Sequence, residues 1–109
     1  MPVDVTIEGT PVHLAAGLDA SAYRIVQEAL TNALAHAGPA TAMVVIRYLT
    51  DRLEVEIGDT GEGSSRAAEE GHGLAGMRER VSLHDGRLDT GPRPGGGFVV
   101  RATLPMRRA

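Results

Sequence analysis

Residues 19–38 read DASAYRIVQEALTNALAHAG. Within them Ala22, Val26, Ala29, Leu30, Ala33, Leu34 and Ala37 recur three and four positions apart, the spacing that aligns one face of an α-helix. Asp19 stands where an N-cap belongs, because its carboxylate can accept from the free N–H groups of a first turn. Gly38-Pro39 closes the run, since proline cannot continue a helix. The pattern predicts a helix of about 18 residues, and what flanks it decides the fold. Upstream, Val3, Val5 and Ile7 alternate with Asp4, Thr6 and Glu8, which predicts a half-buried strand. Downstream, residues 42–49 and 52–57 predict two strands joined by a tight turn at Thr50-Asp51. Leu53, Val55 and Ile57 then face in, and Glu54 and Glu56 face out. A polar stretch follows over 58–71. A second helix is predicted over about 74–84, with Leu74, Met77 and Val81 on one stripe and Asp85-Gly86 as its stop. Strands over 87–90 and 97–104 complete the chain, separated by the turn-rich residues 91–96. The order β-α-β-β-loop-α-β-β predicts an α+β fold, a two-layer sandwich with a mixed sheet and its helices on one face. No repeat or linker interrupts it, so residues 1–109 read as a single domain.

Composition narrows the chemistry. At 109 residues, 42% hydrophobic and 23% charged, the chain can build a core without assistance. A net charge of −3 argues against a general nucleic-acid binder, so no nucleic-acid partner is expected. Cysteine is absent, which excludes disulfides, thiol nucleophiles and zinc–cysteine sites. All eleven cations are arginine. A P-loop, the lysine of eukaryotic-type protein kinases and Schiff-base catalysis each need a lysine, so all three are excluded. His13, His36, His72 and His84 lack the paired spacing of a metal site. No apolar run approaches the roughly 20 residues of a membrane span.

Three polar groups remain as candidates. Glu28, Asn32 and His36 lie four residues apart on one helix face, read here as the face opposite the alanine–leucine stripe. Asn is a mediocre mid-helix residue, and its carbonyl is a hard oxygen ligand suited to Mg²⁺. Glu28, one turn earlier, could orient or deprotonate a water. The plain alternative is a solvated helix face. Next, Asp59-Thr60-Gly61-Glu62-Gly63 follows the 52–57 strand. Gly61 and Gly63 let backbone approach a ligand closely. An ionised Asp accepts only, so it can receive the exocyclic amine of adenine but not the O6 of guanine. The alternative is an ordinary turn after a strand. Asp-Thr-Gly also resembles the aspartic-protease signature, but that fold is almost all β, with two Asp sharing a proton. Here a helix precedes the motif, and Gly58 and Glu62 stand where that family has apolar or small residues. Finally, Gly71-His72-Gly73-Leu74-Ala75-Gly76 matches G-x-G-x-x-G. The dinucleotide-binding version needs a strand just before it and an acidic residue about 20 positions later, and neither is present. What survives is a glycine-opened helix start whose free N–H groups attract phosphate.

Taken in order, these three elements resemble the asparagine box and the two glycine boxes of the Bergerat-type ATPases, which include gyrase, Hsp90, MutL and the sensor histidine kinases. The wording RIVQEALTNALAHAG, GHGLAGMRERV and GGGFVVRATLP is similar to one branch in particular. That branch is the ATP-binding catalytic domain of bacterial two-component sensor kinases paired with helix-turn-helix response regulators. The resemblance runs from about Val3 to Pro105. It implies ATP and Mg²⁺ as ligands, with Glu28 and Asn32 in the catalytic box, Asn32 on the metal and His36 near the phosphates. Asp59 would bind the adenine amine, and Gly61 and Gly63 would shape the pocket wall. Residues 64–70 would form a short mobile lid. Gly71, His72, Gly73, Leu74 and Gly76 would line the nucleotide, and Met77 would pack near the base.

The resemblance further implies a kinase that supplies the γ-phosphoryl group to a histidine on a separate upstream dimerisation domain and thence to a response regulator. The full-length protein would be a homodimer, membrane-anchored in some family members, and this domain a cytoplasmic monomer. None of the four histidines lies in a phosphoacceptor motif, so the chain reads as a catalytic domain cut from a larger kinase and unable to autophosphorylate alone. Three positions depart from the branch. Ala35 replaces a basic residue, Phe98 a threonine near the adenine, and Gly58 an apolar residue whose loss is expected to loosen that strand end. An anti-sigma-type serine kinase of the same fold, or a degenerate nucleotide-binding module kept for partner contacts, are the alternatives.

Overall fold

The computed structural model describes residues 2–36, 41–61 and 74–106, with side chains at all of these but 34–36. Period-2 segments form five strands: β1 (Val3–Glu8), β2 (Ala42–Tyr48), β3 (Arg52–Asp59), β4 (Arg87–Pro92) and β5 (Phe98–Pro105). Two segments of helical period form α1 (Ala16–His36) and α2 (Leu74–Ser82). The strands make one mixed sheet in the order β1-β2-β3-β5-β4, parallel only at β1–β2. This is the α+β sandwich expected from the element order. Leu49 N–H donates to the Arg52 carbonyl at 2.9 Å, closing the two-residue turn at Thr50-Asp51.

The long helix starts earlier than Asp19. Asp19 N–H already donates to the Ala15 carbonyl at 3.0 Å, so Asp19 lies inside the first turn rather than at the cap. Buried Leu18 anchors the added turn in the core, and the Asp19 carboxylate complements the positive helix end. The buried stripe is also rotated from the expected one. Its centre is Leu18, Ala22, Ile25, Ala29 and Ala33, with Ile25 fully buried, while Val26 and Leu30 flank it half-buried. On the sheet side Val44, Leu53, Val55, Ile57, Phe98, Val100, Ala102 and Leu104 meet this stripe, together with Leu74, Met77 and Val81 of α2.

The second helix stops two residues before the expected His84. Asp85 takes φ of 57°, Gly86 N–H reaches back to the Val81 carbonyl at 2.7 Å, and Asp85 N–H to Ser82 at 3.1 Å. This is a Schellman stop, the left-handed residue being Asp rather than the usual Gly. His84 does more than sit at its own helix end. Its Nε2 is hydrogen-bonded to Ser21 Oγ at 3.0 Å, which ties the end of α2 to the start of α1.

β1 is not half-buried. All six of its residues are exposed, with Val5 at 61%. Its apolar side chains share the helix-facing side with their register partners Ala42, Val44 and Ile46, but α1 packs over β2, β3 and β5. Alternation reports what a strand can bury, and cover depends on where the helix lands.

The opposite sheet face is charged and cross-linked. Arg47 Nε donates to Glu8 at 3.0 Å and its Nη1 to Glu56 at 3.0 Å, while Arg101 Nη2 donates to the same Glu56 oxygen at 2.9 Å. Burial by itself would raise the Glu56 pKa, but the hydrogen bonds and charges of Arg47 and Arg101 outweigh it and hold this carboxyl below its ordinary 4.5. A depressed folded-state pKa adds stability that is present above the unfolded value and is lost as pH falls through the folded one. Glu56→Gln is therefore expected to cost about 0.5–1 kcal/mol at pH 7 and less at pH 3, below the ordinary 4.5. Urea titrations of both proteins at the two pH values check this, and an equal gap at both would remove the assigned charge effect.

Candidate functional site

Asp59 ends β3. Ile57 and Asp59 point to the helix side of the sheet while Gly58 points away, and Asp59 pairs with Ala42 of β2. Asp59 is only 7% exposed. Its Oδ1 accepts the Gly61 N–H at 2.8 Å, and no hydrogen bond to its other oxygen is found among the described residues. One side of the carboxylate is thus fixed by its own turn, and the other is left as an acceptor.

The strand end is not loosened at Gly58. The ladder runs on through Met43–Gly58 and Gly58–Val99. Met43 Cγ and Arg93 Cδ lie 3.6 and 3.7 Å from where a Cβ would stand, so neighbours fill the space that the missing side chain leaves. Around Asp59 itself, Gly97 closes in from the head of β5 with φ of 99°. A Cβ there would overlap the Asp59 carbonyl oxygen, lie 2.7 Å from its carbon and 3.2 Å from Oδ1. The backbone of Gly97 therefore forms a wall of the Asp59 site, a part the sequence reading does not assign. Its signal is the triple glycine 95–97 directly ahead of an apolar strand. Phe98 follows and is buried in the core.

α1 approaches this end of the sheet with its C-terminal half. Ala22, Tyr23 and Val26 border a cavity of about 210 Å³ with Ile46, Tyr48, Leu53 and Val55, at the hairpin end. Later residues of α1 must therefore lie toward the opposite end, where Ala42, Ile57 and Asp59 stand. Asn32 belongs to that half. Glu28 and Asn32 are half-buried, while Tyr23, Arg24, Gln27 and Thr31 carry the exposed face. The expectation that Glu28, Asn32 and His36 lie opposite the apolar stripe is thus corrected for the first two. They flank the stripe and are half-buried, because the stripe centres on Ile25 and Ala29. The His36 and Ala35 side chains lie outside the described residues.

The second glycine box is described only from Leu74 onward. Gly63, the expected lid 64–70, Gly71, His72 and Gly73 lie outside the described residues. Leu74 and Met77 are buried core residues, and Gly76 is exposed with nothing within 4 Å of an added Cβ. A second cavity, about 220 Å³, is lined by Gly17, Leu18, His84, Asp85 and Pro105 and lies at the end of the molecule away from Asp59.

Comparison with known proteins decides the family. Residues 17–108 match the family model described as histidine kinase-, DNA gyrase B- and HSP90-like ATPase. The chain belongs to this family. Within it, the sensor histidine kinase LnrJ of Bacillus subtilis is 34% identical over 103 residues, covering 94% of this chain and 26% of the relative. An uncharacterised sensor-like histidine kinase of Chloroflexus aurantiacus is 32% identical over 113 residues, 94% of this chain and 19% of the relative. The chain thus spans about a quarter or less of these curated relatives. Among solved structures, the histidine kinase domain of the blue-light activated kinase from Erythrobacter litoralis superposes with a TM-score of 0.73 at 26% identity. That match covers 95% of this chain and 55% of the other. This chain is accordingly an ATPase domain of the histidine kinase type, and its fold is the one such domains share. Among the described residues, no helix is long and apolar enough to cross a membrane.

Proposed function

We propose that this histidine kinase-type domain binds ATP with Mg²⁺ and supplies the γ-phosphoryl group to a histidine on a separate dimerisation domain, from which a response regulator is served. The observation that carries the reading is Asp59. It is a buried carboxylate at a strand end, with one oxygen held by Gly61 N–H and the other left to accept the adenine amine. Asn32, half-buried at the neighbouring end of α1, has the hard carbonyl oxygen that suits Mg²⁺, and Glu28 stands one turn away to orient a water. Among the described residues no three His, Asp or Glu side chains gather into a cation cage. Asn32 would hold the ion together with phosphate oxygens and waters, the usual manner for Mg²⁺ in phosphoryl transfer. Bound there, Mg²⁺ supplies charge neutralisation on the phosphates. Gly61 and Gly63 would wall the purine, and His36, Gly71, His72 and Gly73 would lie along the phosphates. The domain would work in the cytoplasm, as one part of a longer homodimeric kinase.

Calorimetry with a non-hydrolysable ATP analogue and Mg²⁺ tests the reading and is expected to give one site per chain. Absence of both heat and thermal shift would favour a degenerate module kept for partner contacts. With γ-³²P-ATP the isolated chain is expected to stay unlabelled, and stable label on it would contradict the need for a separate acceptor domain.

A further inference from the structure

Thr60 is the middle residue of Asp59-Thr60-Gly61, and the nucleotide reading gives it no part. It is nevertheless the best-tied residue of that turn. Its N–H donates to the Thr41 carbonyl at 3.0 Å, and its Oγ1 accepts the Thr41 N–H at 3.0 Å. The β2–β3 ladder ends at Ala42–Asp59, so these bonds carry the pairing one residue further, half of it through a side chain. Thr41 lies immediately before β2 and five positions beyond the end of α1.

The consequence falls on Asp59. The N–H that holds Asp59 Oδ1 is that of Gly61, and it belongs to the peptide unit joining Thr60 to Gly61. The orientation of this unit follows Thr60, whose backbone and hydroxyl are both fastened to Thr41. If the unit turns, its N–H leaves Oδ1, the carboxylate rotates, and the second oxygen no longer points where the turn aims it. Hydrogen bonds weaken steeply with such misalignment. Thr60 is exposed, so its side chain contributes little to the core.

We propose that Thr60 is a positioning residue for purine recognition: its clasp on Thr41 sets the Gly61 N–H, which sets the Asp59 carboxylate. The proposal rests on the adenine reading of Asp59 above. Thr60→Val keeps the shape and the backbone bond but removes the hydroxyl acceptor, whereas Thr60→Ser keeps it. The test compares ATP with inosine triphosphate, which carries a carbonyl in place of the adenine amine, by calorimetry on wild type and both variants. Thr60→Val is expected to bind ATP about 3- to 10-fold more weakly, the worth of one ordinary hydrogen bond. Inosine triphosphate affinity should stay within about twofold, and Thr60→Ser should restore ATP binding to within about twofold. A merely structural role would lower both nucleotides together, so equal loss overturns the proposal, as does an unchanged ATP preference in Thr60→Val. A wild-type chain that does not prefer ATP over inosine triphosphate would remove the adenine assignment and the clasp with it. Loss of preference in Thr60→Val alone establishes both.

Discussion

Asp59→Asn is expected to weaken ATP binding by about 1.5–3 kcal/mol, or ~10- to 100-fold, with little change in thermal stability. The direction follows from the bond already made. Oδ1 accepts the Gly61 N–H at 2.8 Å, so an Asn would place its carbonyl oxygen there and keep the turn. Its amide nitrogen would then occupy the second position and present a donor to the donating amine of adenine. The variant therefore replaces a charge-assisted hydrogen bond with an unfavourable pairing of two donors. Calorimetry measures the loss directly, and a thermal melt of the free variant shows whether the turn survives. Unchanged affinity would mean that the purine is held elsewhere.

Gly97→Ala is expected to be the most damaging single-methyl change at the site, costing on the order of 3 kcal/mol and lowering the thermal midpoint by on the order of 10–20 °C. Two effects add. At φ of 99° an alanine is strained whatever surrounds it, and here its Cβ would overlap the Asp59 carbonyl. Relief requires β5 and the end of β3 to separate, which moves Asp59 as well, so whatever protein folds should also bind ATP poorly. Gly95→Ala is the control. Its φ of 86° carries the strain without the overlap, since nothing lies within 4 Å, and it should cost about 1 kcal/mol. Equal losses at the two positions would show that backbone strain, rather than contact with Asp59, is what Gly97 relieves.

Local periodicity carried most of the fold. The change from alternation in Val3–Ile7 to helical spacing from Ala22 onward, and back again at 42–57, specifies the order of elements because each period reflects backbone geometry rather than tertiary context. What escaped is non-local. The alternation in β1 is real, yet no local signal says that α1 lies over β2, β3 and β5 instead. The stripe of α1 centres on Ile25 because cover by the sheet and α2, not spacing alone, selects the buried face, and it takes in Leu18 upstream of the expected start. The Ser21–His84 bond joins residues 63 positions apart, and the sharing of Glu56 by Arg47 and Arg101 depends on strand register. The site divides in the same way. Asp59 and Asn32 were legible as residue types whose donors and acceptors suit a purine amine and Mg²⁺. The fit of Gly97 against Asp59, and the packing of Met43 and Arg93 beside Gly58, required the pairing of β3 with its neighbours. Thr60 was hidden for another reason: its bonds go to Thr41, a residue with no motif of its own.

The central claim is that Asp59 and Asn32 serve a single ligand. It is tested most directly by titrating the ¹⁵N-labelled chain with a non-hydrolysable ATP analogue and Mg²⁺ and following the Gly61 backbone amide and the Asn32 side-chain amide by NMR. Both signals should move along one binding curve, and withholding Mg²⁺ should mute the response of Asn32 while sparing that of Gly61. A chain in which Gly61 responds and Asn32 stays silent at saturating Mg²⁺, or in which the two follow different curves, would contradict a common site.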